Sequence, residues 1–170
     1  MSIAQSMLSE FDHEMANTRK VLERVPEDKL NYKPDPKSMP MGQLASHIAE
    51  MVGWAKETIE TPSLDIPPDM KPFIGTSRKQ ILDKLDASVA AARKALEVAS
   101  DAAMMQEWTL KFAGNVMFSM PRVAVIRSMI MNHVIHHRAQ LTVYFRLVGV
   151  PVPGMYGPSA DEAQPAAAGR

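Results

Sequence analysis

Helical periodicity, interrupted by clusters of proline, constrains the fold of this chain more than any other feature. Apolar residues recur at spacings of three and four over most of the 170 residues. The pattern breaks at KPDPKSMP (33–40) and TPSLDIPPDMKPF (61–73). Proline lacks an amide hydrogen and obstructs the helical turn before it, so both stretches are predicted to be loops. The sequence therefore predicts amphipathic helices joined by proline-rich connections.

Four helices are expected from this pattern, and they span about 2–25, 40–60, 76–99 and 121–148. Between the last two, EWTLKFAGNVMFSM (107–120) alternates apolar and polar residues, which predicts a short hairpin with its turn at Gly114–Asn115. The expected fold is an all-α four-helix bundle with this hairpin inserted before the last helix. One domain is predicted over 1–158, followed by a flexible tail over 159–170 that is poor in large apolar residues.

Charge and composition exclude several classes of function. Nineteen basic residues balance nineteen acidic ones, so the chain lacks the positive field expected of a nucleic-acid-binding protein. There is no cysteine, so any metal ligands must be His, Asp or Glu. No stretch has the roughly 18 apolar residues that a membrane span needs, and the acidic N-terminal segment does not resemble a signal peptide. We expect a cytoplasmic protein without nucleic-acid or membrane partners.

Three of the five histidines fall in the fourth predicted helix, within NHVIHHRAQ (132–140). His133 and His137 are four residues apart, which places them about 40° apart in the middle of the buried face. His47 lies on the inner face of the second predicted helix, so helix packing would bring it near the other two. Three imidazoles of this kind could hold one metal ion and leave a coordination position open. Buried histidines with one hydrogen bond each are the alternative, and spacing alone leaves both interpretations open.

Neighbouring polar residues are weaker candidates. His136 could replace His137 as an i, i+3 ligand, although a supporting or interface role fits its position at the edge of the face better. His13 is expected to be solvated. Glu50, one turn after His47, could orient a ligand or act as a base, or could be a surface acid. Gln140 and Tyr144 lie on the same face as the histidine pair and could orient a substrate, or could pack in the core.

Two further predictions concern the surroundings of this face. Arg138 points away from it and is expected to pair with a carboxylate at the surface. An apolar pocket could be formed by Met51, Trp54, Trp108 and Met129, although Met and Trp residues at helical spacing more often belong to a core.

The sequence then shows a resemblance to a known family. SMPMGQLASHIAEMVGWA (38–55) and NHVIHHRAQLTVYFRLVGVPVPGMYGPSADE (132–162) resemble the DinB-like (YfiT-like) family of metal-dependent proteins. The resemblance implies a four-helix bundle in up-down-down-up order. It also implies a divalent metal ion, usually zinc or nickel, bound by His47, His133 and His137. One difference is Ala139, where the family usually has glycine.

Some members of that family are transferases or isomerases that use a low-molecular-weight thiol activated by the metal. The resemblance therefore implies a metal-dependent thiol S-transferase, isomerase or hydrolase that acts on a small-molecule substrate. The alternative is a non-catalytic, metal-stabilised stress-response or binding protein. A DNA-binding role is disfavoured by the zero net charge. Apolar residues on the outer face of the last helix also predict a homodimer; they are Val125, Ile135, Val143 and Phe145.

Overall fold

Helices α1 (Ile3–Leu22) and α4 (Arg78–Val98) pack against each other and form one side of the apolar core. The computed structural model describes residues 2–162. Ser2 caps α1 by accepting from the Gln5 amide in a capping box, and the Ser77 hydroxyl caps α4 by accepting from the Gln80 amide. These two helices begin close to the predicted positions, residues 2 and 76.

The second predicted helix is divided into α2 (Met41–Met51) and α3 (Trp54–Glu60). Gly53 lies at the break, where an added Cβ would be 3.4 Å from the Ser88 hydroxyl of α4 and 3.3 Å from the Glu50 carbonyl. The absence of a side chain lets α4 approach closely, and the backbone on both sides of the break makes i→i+3 hydrogen bonds. Both α2 and α3 pack on α4.

The last predicted helix is continuous, but part of it is π-helical rather than α-helical. It runs through the short turn α6 (Arg122–Ala124), a π-helical segment (Val125–Met131) and α7 (Asn132–Leu147). The wider π-helical turn rotates the residues before α7 away from the positions expected for an α-helix. As a result Val125 is buried, although it was predicted to face outward, and Met129 is 36 % exposed.

A three-stranded sheet makes the all-α prediction wrong. Strands β2 (Glu107–Phe112) and β3 (Asn115–Pro121) form the predicted hairpin, and β1 (Ser63–Ile66) pairs with β2 in parallel. The protein is thus a mixed α/β structure rather than a helical bundle with an isolated hairpin. Strand β1 has only four residues and lies in a segment predicted as a loop, so periodicity gave no sign of it.

The hairpin turn lies at Ala113–Gly114, one residue earlier than predicted. Both residues have positive φ, 49° for Ala113 and 79° for Gly114, as a two-residue type I′ turn requires. A single-turn helix of the 3₁₀ type (Glu27–Lys29) and the short helix α5 (Asp101–Met105) complete the described structure.

The segment that follows α7 folds back on the helices. The Asp161 carboxylate pairs with Arg146 at 2.6 Å and accepts from the Val152 amide at 2.8 Å. Most of the predicted flexible tail, residues 163–170, lies outside the described residues. Within residues 2–162 there is no helix with the length and continuous apolar character that a bilayer crossing requires.

Candidate metal centre

The packing of α2 against α7 brings three histidine rings together. His47 comes from α2, and His133 and His137 come from successive turns of α7. One ring nitrogen of each lies within 4.8 Å of the other two. The Nε2 atoms of His133 and His137 are 2.7 Å apart, and the ring centroid of His47 is 5.4 Å and 4.9 Å from theirs. The three residues selected from the helical spacing therefore form one half-buried cluster.

Gln140 determines how His137 faces this cluster. The Nδ1 atom of His137 is 2.7 Å from Oε1 of Gln140, which lies one turn along α7. With Gln140 accepting from Nδ1–H, the lone pair of His137 is on Nε2, the nitrogen that points to His133. Fixing the tautomer through the outer nitrogen is the usual arrangement for a metal-binding histidine. Gln140 is exposed, so the prediction that it packs in the core is not what the structure shows.

Burial keeps two of the rings neutral. Together with charge repulsion from the neighbouring His137 and His133, burial lowers the pKa of His47 from 6.5 to about 4. Burial and His137 also lower the pKa of His133, partly offset by a hydrogen bond to the Met129 backbone. Neutral imidazole is the form that binds a metal ion, so neither ring has to lose a proton near pH 7.

Two cavities border the cluster, one apolar and one of mixed polar and apolar lining. A pocket of about 230 Å³ has His47 and His133 in its wall and is otherwise almost entirely apolar. It contains all four residues predicted to line an apolar pocket, which are Met51, Trp54, Trp108 and Met129. A more open groove of about 440 Å³ has His137 in its wall and includes Lys37, Gln140 and Tyr144. A larger cleft of about 530 Å³ contains none of the histidines.

The other predicted candidates lie outside the cluster. The Glu50 carboxylate accepts from the Phe73 amide at 3.2 and 3.3 Å, so it holds the loop after β1. Tyr144 lies in the groove, where its hydroxyl donates to the Met39 carbonyl at 3.1 Å. His136 is exposed, with its ring 5.1 Å from that of His137. His13 is exposed on α1, as predicted.

Comparisons with known proteins show the family to which the chain belongs. A family model described as the DinB family matches residues 1–168. The chain belongs to the DinB family. A protein of Bacillus subtilis, named as the uncharacterised protein YrdA, is 28 % identical over 159 residues, which cover 91 % of this chain and 89 % of YrdA.

Solved structures of DinB-like proteins share the fold. One from Bacillus cereus has a TM-score of 0.69 at 24 % identity, and the match covers 89 % of this chain and 97 % of that one. YjoA from Bacillus subtilis has a TM-score of 0.64 at 21 % identity, covering 86 % and 96 %. A member from Exiguobacterium sibiricum has a TM-score of 0.62 at 18 % identity, covering 89 % and 96 %.

The donor set of this DinB-family chain fits a divalent transition metal. Imidazole nitrogen suits zinc, nickel, copper and iron, whereas magnesium and calcium prefer oxygen. No carboxylate of residues 2–162 belongs to the cluster. Three histidines with an open fourth position are typical of catalytic zinc sites rather than structural ones.

Arg138 of the family motif is not at the surface, contrary to prediction. It is 1 % exposed and pairs with Glu14 of α1 at 2.6 Å. Its guanidinium also donates to the Glu14 carbonyl at 2.9 Å, to the Thr18 hydroxyl at 3.1 Å and to the Tyr156 hydroxyl at 2.6 Å. The Tyr156 hydroxyl lies 2.8 Å from the same Glu14 carboxylate. This network joins α7, α1 and the C-terminal segment behind the histidine cluster.

Sequence reasoning missed the part of the site that the sheet supplies. Leu110 of β2 and Phe118 of β3 close the apolar pocket, and Thr58 of α3 lies in its wall. The alternation of the hairpin was a signal that it has a buried face. Nothing in the sequence indicated that this face lines the pocket beside His47 and His133.

Proposed function

We propose that His47, His133 and His137 bind one divalent metal ion, zinc or nickel, and that the chain is a metal-dependent enzyme acting on a small molecule. The observation that carries this proposal is the convergence of three imidazoles at a point bordered by both an apolar pocket and a groove of mixed polar and apolar lining. A divalent ion supplies Lewis acidity, which lowers the pKa of a bound thiol or water and makes it nucleophilic near pH 7.

The residues around the cluster support a transfer reaction between two reactants. The groove offers Lys37 and Gln140 as polar groups beside His137, which suits a low-molecular-weight thiol with charged or amide substituents. The apolar pocket beside His133 suits the second, less polar reactant and excludes water from it. A thiol S-transferase or isomerase needs both reactants at one centre, and the histidines of one cluster line both cavities: His47 and His133 the pocket, and His137 the groove.

Helix α7 contains both a histidine of the cluster, His133, and an exposed histidine, His136, and comparing their alanine variants tests metal binding directly. We expect about one zinc or nickel ion per chain in untagged protein, measured by elemental analysis. His133→Ala should abolish most of this binding, whereas His136→Ala, an exposed histidine three residues away, should retain it. Equal metal content in the two variants would reject the site.

A cobalt-substituted protein separates catalysis from a purely structural role. If a thiol reaches the centre, its addition should change the visible absorption of the bound cobalt, and His133→Ala should remove the signal. The non-catalytic alternative is supported by one observation: the carboxylate of Glu50 and the hydroxyl of Tyr144 both hydrogen-bond the backbone. In that case the metal joins α2 to α7 and stabilises the protein. A cobalt spectrum that no thiol or small molecule perturbs would favour this alternative.

The predicted homodimer stays a prediction. Val125 and Phe145 of the expected contact face are buried in the structure, whereas Val143 is 57 % exposed. A molecular mass measured by light scattering would test it.

A further inference from the structure

The groove beside His137 differs in charge from other clefts of the described structure. Among the described residues that line it, Lys37 carries a full charge near pH 7, and none is a carboxylate. Three other clefts contain two carboxylates each; these are Glu27 and Asp28, Glu50 and Glu57, and Asp12 and Asp86. The chain as a whole has as many basic as acidic residues, so the charge of the groove does not follow from composition. A cleft with a cation and no carboxylate favours an anion.

Lys37 is held at the groove by the turn that contains it. Its backbone amide donates to the Asp35 carboxylate at 2.8 Å, and the next amide, that of Ser38, donates to the Asp35 carbonyl at 2.9 Å. The Tyr144 hydroxyl donates to the Met39 carbonyl at 3.1 Å, which fixes the end of this turn to α7. The side chain of Lys37 is exposed and forms no ion pair with the described residues. Its ammonium group is therefore accessible to a ligand at the rim of the groove.

Gln140 adds a second donor to the groove. Its Oε1 atom is 2.7 Å from Nδ1 of His137 and accepts from it when Nε2 of that ring binds a metal ion. This contact fixes the orientation of the amide and leaves its NH2 group, which is exposed, for a ligand. The half-buried Ser38 hydroxyl in the same wall can also donate. A negatively charged group that accepts several hydrogen bonds matches these donors.

The rest of the groove suits a short apolar chain. Its wall is completed by the side chains of Met39, Leu44 and Val143 and by the ring of Tyr144. These residues can cover the methylene groups between a carboxylate at Lys37 and an atom that reaches the histidines. No carboxylate of residues 2–162 belongs to the histidine cluster, so a divalent ion bound there keeps its full charge and attracts an anion as well.

We propose that the groove binds an anionic thiol through its carboxylate, with the Lys37 ammonium and the Gln140 amide as donors, and that Lys37 sets the preference for a carboxylate over a neutral group. The assignment rests on the proposed function, since the thiol is the reactant that the groove leads to the cluster. A carboxylate can accept charge-assisted hydrogen bonds from both donors at once. Lys37 is thus a specificity-determining residue for the substrate and takes no part in the chemical step.

Pairs of thiols that end in an acid or an alcohol test this assignment. Mercaptopropionate and mercaptopropanol, with the thiol on the terminal carbon, form one pair. Mercaptohexanoate and mercaptohexanol form a longer pair, so that different spans between the cluster and Lys37 are sampled. Each thiol is titrated into cobalt-substituted protein, and its dissociation constant is obtained from the visible absorption of the bound cobalt. The measured quantity is the dissociation constant of the alcohol divided by that of the acid, in which effects common to both thiols cancel.

The ratio is compared among the wild type, Lys37→Met, Lys37→Arg and Lys33→Met. Lys33 is a matched control, because it is an exposed lysine of the same loop that does not line the groove and donates to the Pro36 carbonyl at 3.3 Å. In the pair with the greater preference for the acid, Lys37→Met should lower the ratio about three- to tenfold, the effect of one charged hydrogen bond near the surface. Lys33→Met and Lys37→Arg should keep it within about twofold, because both retain the cation at the groove.

Two results would overturn the proposal. One is equal affinity of the wild type for acid and alcohol at both chain lengths. The other is a preference for the acid that Lys37→Met leaves unchanged, as expected if the carboxylate binds the cobalt ion itself. In either case the thiols still change the cobalt spectrum, so the proposed function stands and the assignment of Lys37 alone fails. A cobalt spectrum that none of the four thiols changes would instead reject thiol chemistry at the cluster, and the assignment of Lys37 with it.

Discussion

Replacing Arg138 with methionine should destabilise the protein strongly, although this residue touches no proposed ligand. The guanidinium is 1 % exposed, and its partner Glu14 is 5 % exposed. The substitution keeps a long apolar side chain but leaves the Glu14 carboxylate buried, with the Tyr156 hydroxyl as its remaining side-chain partner.

The expected magnitude follows from this burial. Removing one partner of a buried ion pair costs about 3–5 kcal/mol, because the other charge stays desolvated. For a chain of this size each kcal/mol lowers Tm by about 2–4 °C, so Arg138→Met should lower it by about 10 °C. Arg146 of the same helix provides a matched control. It pairs with Asp161 at 2.6 Å, but the two side chains are 46 % and 31 % exposed. Arg146→Met should cost at most about 1 kcal/mol.

Thermal and urea unfolding of the two variants, followed by circular dichroism, measure the difference. Glu14→Leu combined with Arg138→Met should recover part of the loss, because no buried charge is then left without its partner. Equal destabilisation by Arg138→Met and Arg146→Met would refute the reasoning, as would a double variant that is simply the sum of the two single ones.

Three further predictions concern the site. Thr58→Val should raise the free energy of unfolding by about 1 kcal/mol in urea, because it removes an unpaired buried hydroxyl, whereas Thr58→Ser should not. In metal-free protein the free energy of unfolding should fall as the pH drops from 6.5 to about 4, because in this range His47 binds a proton in the unfolded chain but not in the folded one. His47→Gln should make the Tm measured in thermal melts less dependent on pH over the same range. Glu50→Ala should cost about 1 kcal/mol by releasing the Phe73 amide, while elemental analysis shows unchanged metal content; a loss of metal would place Glu50 in the site after all.

Local spacing was enough to identify the histidine cluster. An i, i+4 pair on a helix lies on one face whatever the rest of the chain does, so His133 and His137 could be paired from the sequence. To add His47 to this pair, it was enough to assume that the inner faces of the second and last predicted helices pack against each other. The hairpin was also visible, because alternation and a glycine at the turn are local signals.

The remaining features depend on contacts between distant parts of the chain. The pairing of β1 with β2 places Leu64 opposite Leu110, 46 residues later. A four-residue strand is too short for its sequence pattern to predict such a partner. The π-helical segment changes which residues face inward before α7, so Val125 was assigned to the wrong side. Burial of Arg138 depends on Glu14, which is 124 residues away.

The sequence by itself determined the approximate positions of the long helices, the hairpin and the three histidines, because these follow from periodicities within one element. Only the tertiary structure decided that the sheet lines the pocket beside the cluster and that the Thr58 hydroxyl is buried without a hydrogen-bond partner among residues 2–162. The physical reason is that the positions of metal ligands on one helix are fixed by backbone geometry, whereas a pocket exists only where separate elements meet and do not completely fill the space between them.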